Sequence, residues 1–222
     1  MNIKKFLAPF MAMALVFALV VASGCGTEKP KVGADKTAIA LTELSLTGEA
    51  STPSDLVLNK GEAEKTKKQT TEGYTKVFQQ YMLSEKDATE ISEYLLKRMR
   101  TNLHPTATVK DKDSETPTVE LKITPLDMAQ FQAVAMQDQD YVEMVQTIQL
   151  SRASGIDLST NKEITDAVKI TLKKVIEKIP VAQEKKITVK FKIGQTDDKK
   201  VAWTPENPDQ FYKDVGNTVQ AK

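Results

Sequence analysis

Thr118-Val119-Glu120-Leu121-Lys122-Ile123-Thr124 alternates strictly: Val119, Leu121 and Ile123 on one side, Glu120, Lys122 and Thr124 on the other. Successive side chains of a strand point to opposite faces, so this segment is a strand with one buried face. The acidic, turn-prone run Asp111-Lys112-Asp113-Ser114 separates it from Thr106–Lys110, which predicts a hairpin. The alternation returns in 186–193, where Ile187, Val189, Phe191 and Ile193 oppose Lys186, Lys190 and Lys192. A polar turn at 195–199 leads to a partner strand opening on Val201-Ala202-Trp203. Two hairpins point to antiparallel pairing.

Outside the hairpins the apolar period changes to that of a helix. Behind the capping sequence Asn59-Lys60-Gly61-Glu62, residues Tyr74, Val77, Phe78, Tyr81 and Met82 fall on one face. Ser84-Glu85-Lys86-Asp87 restarts the pattern with Ala88, Ile91, Leu95 and Met99, and Pro105 ends it. A long helical segment, with room for a bend, runs from Asp127 through Phe131, Val134, Tyr141, Val145 and Ile148 to a cap near Gly155. The cleanest helix follows Thr160-Asn161-Lys162-Glu163, with Ile164, Ala167, Val168, Leu172, Val175, Ile176 and Ile179 on one face and Pro180 as breaker. Short helices at 37–46, stopped by Gly48, and at 209–215 complete the set, with 49–58 a loop. Segregated helices and hairpins define an α+β fold: a curved antiparallel sheet of two hairpins wrapped by four or five helices.

The N-terminus has a different character. Lys4 and Lys5 precede an uncharged apolar run, Phe6 to Ala22, followed by small residues Ser23 and Gly24 and then Cys25. That order is a secretory signal peptide. A single transmembrane anchor would need about 20 apolar residues, and this run is close to that length. A plain anchor, however, has no need of Ala22-Ser23-Gly24-Cys25, which is a bacterial lipobox with alanine where leucine is commonest. Lipid transfer to the thiol and cleavage just before it require small flanking side chains. Cys25, the only cysteine, is thus expected to be the lipidated first residue of the mature chain. The thioether carries two acyl chains, enough for durable anchoring where one chain is not. The expected division is a signal peptide at 1–24, lipidated Cys25 with a flexible tether to residue 35, and one α+β domain at 36–222.

Charge excludes some partners. The chain has 31 basic against 30 acidic side chains, and removing 1–24 takes Lys4 and Lys5 and no acid, leaving 29 against 30. A nearly neutral chain disfavours nucleic acid and offers no strong overall field toward anionic lipid. With Cys25 lipidated, no intrachain disulfide is available, and packing alone holds the fold.

The chain resembles the small surface lipoproteins of Gram-positive-related bacteria that carry the domain of unknown function 5105. The lipobox, the helix start after LVLNKGEAEK, TATVKDK leading into TVELKITPLD, and the closing ITVKFKIGQTDDKKVAW carry the likeness, which would cover most of 36–215. The resemblance implies a shape similar to nuclear-transport-factor-2-like or cystatin-like cones, and no activity, substrate or cofactor.

Chemistry-bearing residues are sparse. His104, the only histidine, would serve as an acid or base if a cavity brought it to a carboxylate such as Asp127; the plainer reading is a polar helix end. Asp111, Asp113 and Glu115 alternate in an acidic turn, but lack the glycine and bidentate glutamate of a calcium loop; Asp197-Asp198 reads likewise as a solvated turn. No metal or cofactor is expected, and no nucleophile elbow, Walker loop or dinucleotide fingerprint occurs. The methionines and glutamines between Met128 and Gln149 read as core and solvated surface, with a flexible methionine-lined groove as the sharper reading. Lys169, Lys173, Lys174 and Lys178 read as the solvated side of the clean helix. Ile170 on that side has no core role and could meet a partner. The leading expectation is a non-enzymatic binding module, held extracytoplasmically on the bacterial membrane through lipid on Cys25, with an envelope protein or small ligand as partner. A transporter's solute-binding lipoprotein and a cavity enzyme remain the alternatives, and oligomeric state stays open.

Overall fold

The computed structural model describes residues 29–53, 57–58, 60–111, 114–196 and 200–219; the signal segment, the lipobox and Cys25 lie outside the described residues. Helices α1 (Ala34–Thr47), α2 (Lys60–Phe78) and α3 (Glu85–Asn102) come first, with a 3-10 turn, Gln79–Tyr81, closing α2. The first hairpin, β1 (Thr106–Val109) and β2 (Thr118–Ile123), follows. A 3-10 turn at Met128–Gln130 then leads to α4 (Phe131–Met136), α5 (Gln139–Ala153) and α6 (Lys162–Lys178). The second hairpin, β3 (Lys185–Gln195) and β4 (Val201–Pro205), precedes α7 (Pro208–Thr218). The four strands form one antiparallel sheet in the order β1-β2-β3-β4. The α+β expectation stands, with seven helices among the described residues in place of four or five.

The strand that decides the fold behaves as its alternation dictates. Val119, Leu121 and Ile123 are fully buried, and α1 packs against β1 and β2. One core runs from Val32 to Val219. The second strand departs from expectation. Phe191 is buried against Phe211, but Ile187 and Val189 are half-buried and Ile193 is 37% exposed. The eleven-residue β3 pairs with β2 over its first half and with β4 over its second, and past Phe191 the buried side changes. There Gly194, Ala202 and Thr204 are enclosed; a Cβ on Gly194 would lie 2.9 Å from the Thr204 methyl.

The helix boundaries follow local chemistry. Ser84, Asp138, Asn161 and Asn207 each accept a hydrogen bond from a backbone N–H of the first turn behind them, which satisfies donors the helix leaves open. Asp138 explains why the long segment from Asp127 is two helices. Its carboxylate accepts from Tyr141 N–H at 3.3 Å, so the chain restarts there. Two further expectations need correction. Val32 is buried and α1 begins at Ala34, so the stretch expected as tether enters the fold before residue 35. Ala167, placed on the buried face of α6, is exposed, and Thr165 and Thr171 are buried instead. Helix α6 packs against α3, α4 and α5, which leaves the line through Ala167 and Ile170 facing outward.

Candidate binding cleft

Helix α3 carries two stripes. Ala88, Ile91, Leu95 and Met99 face the core, while Glu90, Glu93, Tyr94, Lys97 and Arg100 repeat at the same spacing on another side. This second stripe lines a cleft of about 380 Å3, together with Thr47, Glu49, Lys67, Thr71, Leu96 and Lys173. A neighbouring recess of about 230 Å3 shares Thr47, Glu49 and Arg100 with it and adds Glu43, Ala50, Ser51 and Leu103. No strand residue lines either.

Gly48 sets the geometry at the junction. Its φ of 74° is left-handed, and its N–H caps α1 on Leu44 O. An added Cβ would lie 3.1 Å from Lys67 Cα, so only glycine lets α1 end this close to α2. The turn delivers Glu49, whose carboxylate accepts from Lys67 Nζ at 2.6 Å and lies 3.2 Å from Arg100. Those cations, Lys67 first, hold its carboxyl below the usual range. Glu43 accepts from Ser51 N–H at 2.7 Å, which fixes the following loop. At the other end, Lys173 pairs with Glu90 at 2.6 Å and sits 5.4 Å from the Tyr94 ring centre. Among the described residues, Glu93 and Lys97 make no ion pair across the cleft. The result is a depression lined by charges of both signs, with the Arg100 guanidinium shared between the cleft and the neighbouring recess and able to pair with a ligand carboxylate.

Of the α6 lysines, Lys174 and Lys178 are exposed as expected, while Lys169 is mostly covered, and all of them engage carboxylates. Lys169 is 17% exposed and lies 3.0 Å from Asp87, 3.1 Å from Glu90 and 3.3 Å from Asp166. Lys174 pairs with Asp140 at 2.7 Å, and both Lys174 and Lys178 reach buried Asp138, at 3.3 and 2.7 Å. Arg98 of α3 donates to Ile176 O at 3.1 Å and Glu177 O at 2.7 Å in the last turn of α6, where Ile176 O also accepts from Ile179 N–H. The polar side of α6 thus ties it to α3 on one flank and to the α4–α5 junction on the other. Ile170 stays outside this lattice, 68% exposed.

Asp138 supplies a pH test. Lys178, then Lys174, hold its carboxyl down at about 2, although burial opposes ionisation. A lowered folded-state value gives stability that is complete above the ordinary carboxylate pKa of about 4 and lost as pH falls toward 2. Asp138→Asn keeps a capping oxygen and removes the charge. It should cost about 1–2.5 kcal/mol at neutral pH and almost nothing near pH 2, as urea denaturation at the two pH values would show.

The other sequence-stressed residues do not converge. His104 is exposed in the turn before β1. Asp127 has a buried Oδ1 with no hydrogen-bond partner, and no hydrogen bond or ion pair joins it to His104. Neither lines the cleft. Asp111 closes the first hairpin by accepting from Thr118 N–H at 2.6 Å, while Asp113, Asp197 and Asp198 lie outside the described residues. Met128 is buried, Met144 is half-buried and Met136 is 54% exposed, so these methionines do not line one groove. Among the described residues no group of three His, Cys, Asp or Glu side chains could hold a metal ion, and no helix is long and apolar enough to cross a membrane.

No family model matches the chain, so the likeness to the domain of unknown function 5105 stays a resemblance; no curated protein matches it. The crystal structure of a candidate lipoprotein, ycdA, from Bacillus subtilis subsp. subtilis str. 168 is similar in shape. Its TM-score is 0.48 at 14% sequence identity, over 85% of this chain and 57% of that one. The chain therefore spans little more than half of that protein's length. Likeness at this level is distant, and function has to be read from this chain's own residues.

Proposed function

We propose that this protein is a bacterial envelope lipoprotein, held extracytoplasmically by lipid on Cys25, that works as a non-enzymatic binding module. The observation that carries the reading is the sequence order of apolar run, Ala22-Ser23-Gly24 and a lone Cys25. The cleft along α3 is the proposed ligand site. Its paired charges, Glu49 with Lys67 and Arg100, and Glu90 with Lys173, can be exchanged for those of a small ligand bearing a carboxylate. A zwitterion such as an amino acid or short peptide would answer both signs present there.

Thermal shift and calorimetric titration with a panel of amino acids, dipeptides and simple carboxylates test the site. At least one carboxylate ligand should stabilise the wild type, and Arg100→Gln should remove most of that response. A charge-assisted contact contributes about 1.5–3 kcal/mol, which is roughly a 10- to 150-fold loss of affinity. Binding that is indifferent to Arg100, or no carboxylate bound at millimolar concentration, would contradict the site.

A further inference from the structure

The near-neutral composition conceals a sheet face on which lysines outnumber glutamates. In the β1–β2–β3 register, Thr106 faces Lys122 and Lys122 faces Lys186; Thr108 faces Glu120 and Glu120 faces Thr188; Thr118 faces Lys190. These side chains share the face opposite Val119, Leu121 and Ile123, which are buried under the helices. Lys110 extends β1 on the same face, its N–H donating to Thr118 O at 2.9 Å, and Lys192, half-buried where this side begins to be enclosed, follows Lys190 along β3. Five lysines, Lys192 among them beside enclosed Thr204, thus stand against Glu120, Glu184 and Glu206, the last directly opposite Lys190, whose carbonyl accepts the Glu206 N–H at 2.8 Å. Glu120 lies 3.1 Å from Lys110, and Lys122 lies 3.7 Å from Glu184. Lys186 and Lys190 are exposed and make no ion pair among the described residues. The rest of the face is threonine hydroxyls, with no large apolar side chain to insert.

We propose that this outer sheet face is a docking surface for the headgroups of an anionic lipid bilayer. Charge complementarity and position both favour that occupant. On the anchorage proposed above, on which this inference rests, Cys25 is fixed in the membrane and the core begins at Val32. Seven residues at about 3.3 Å each keep the fold within roughly 25 Å of the headgroups. A juxtamembrane lysine near an anionic surface strengthens partition about fivefold, and the effect fades over about a Debye length. The face is polar and follows the strands, so it would lie on the headgroups without penetrating them. Because no strand residue lines the cleft along α3, docking this face leaves the cleft uncovered.

The test uses the chain from Gly26, which lacks the lipidated residue and retains every core residue from Val32 to Val219; its thermal unfolding checks that it folds. Sedimentation with phosphatidylcholine vesicles containing roughly one-third phosphatidylglycerol should show binding that pure phosphatidylcholine does not support and that high salt abolishes. The triple variant Lys122→Gln, Lys186→Gln, Lys190→Gln should lose roughly 100-fold in partition. The triple variant Lys65→Gln, Lys76→Gln, Lys213→Gln, at exposed helix positions, should keep the wild-type value. Equal losses in the two variants, equal binding to both vesicles, no binding to either, or preference for soluble poly(glycerol phosphate) over vesicles would overturn the proposal. Since this chain carries no lipid, each of those results leaves the Cys25 anchorage to its own test.

Discussion

Leu172→Ala should destabilise the fold by about 2–5 kcal/mol, the range for truncating a fully enclosed leucine. Leu172 has no exposed surface and lies on α6, which packs against α3, α4 and α5 at once. A site walled by three helices cannot collapse cheaply, so the cost belongs toward the upper part of that range. For a fold of this size the midpoint of thermal unfolding should fall by roughly 5–15 °C. Lys173→Ala, one position round the helix, removes the ion pair to Glu90 and the contact with Tyr94, both at partly exposed positions. It should cost less than about 1 kcal/mol. Paired denaturation curves check the contrast, and equal losses would mean that α6 is rotated about its axis.

Cys25→Ser should abolish lipid attachment completely, the largest effect expected anywhere in the chain. Serine offers no thiol for a thioether, and Cys25 is the only cysteine. Among the described residues no helix is long and apolar enough to replace the lipid as an anchor. The variant should therefore stay uncleaved, held by its own apolar segment, or be cut elsewhere and released. Metabolic labelling with a fatty acid, followed by fractionation of membrane and medium, separates these results from the wild type.

Much of the architecture was legible because two physical signals are local. Alternation at Val119, Leu121 and Ile123 fixed a strand and its buried face without reference to the rest of the chain. Caps at Ser84 and Asn161 marked helix starts. Tertiary context decided the departures. Ile193 continues an apolar alternation, yet β3 outlasts its cover by β2 and the buried side changes at Gly194. Ala167 is apolar at a helical interval, but the three helices packed on α6 leave that line open. The break before α5 rests on one side chain, Asp138, whose cap was hidden inside an apolar periodicity that could run on.

The cleft was harder to read. Its signal, charged residues at 90, 93, 97 and 100, was present at the same interval as the apolar stripe of α3, but a charged stripe on a helix ordinarily faces solvent. Only the approach of Glu49, after the left-handed turn at Gly48, and of Lys67 and Lys173 makes it a concavity. Likewise the ion pairs of the α6 lysines left no trace because their acidic partners, Asp87, Glu90, Asp138 and Asp140, lie on or at the caps of other helices. Ion pairs between distant segments leave no period in a sequence.

Lipid on Cys25 is tested most directly by the mass of the N-terminal peptide from protein purified out of its own membrane. A peptide beginning at Cys25 and carrying a diacylglyceryl thioether is the result expected. An unmodified peptide reading through Gly24 and Cys25 would contradict it, and the apolar run from Phe6 to Ala22 would then be a permanent membrane anchor.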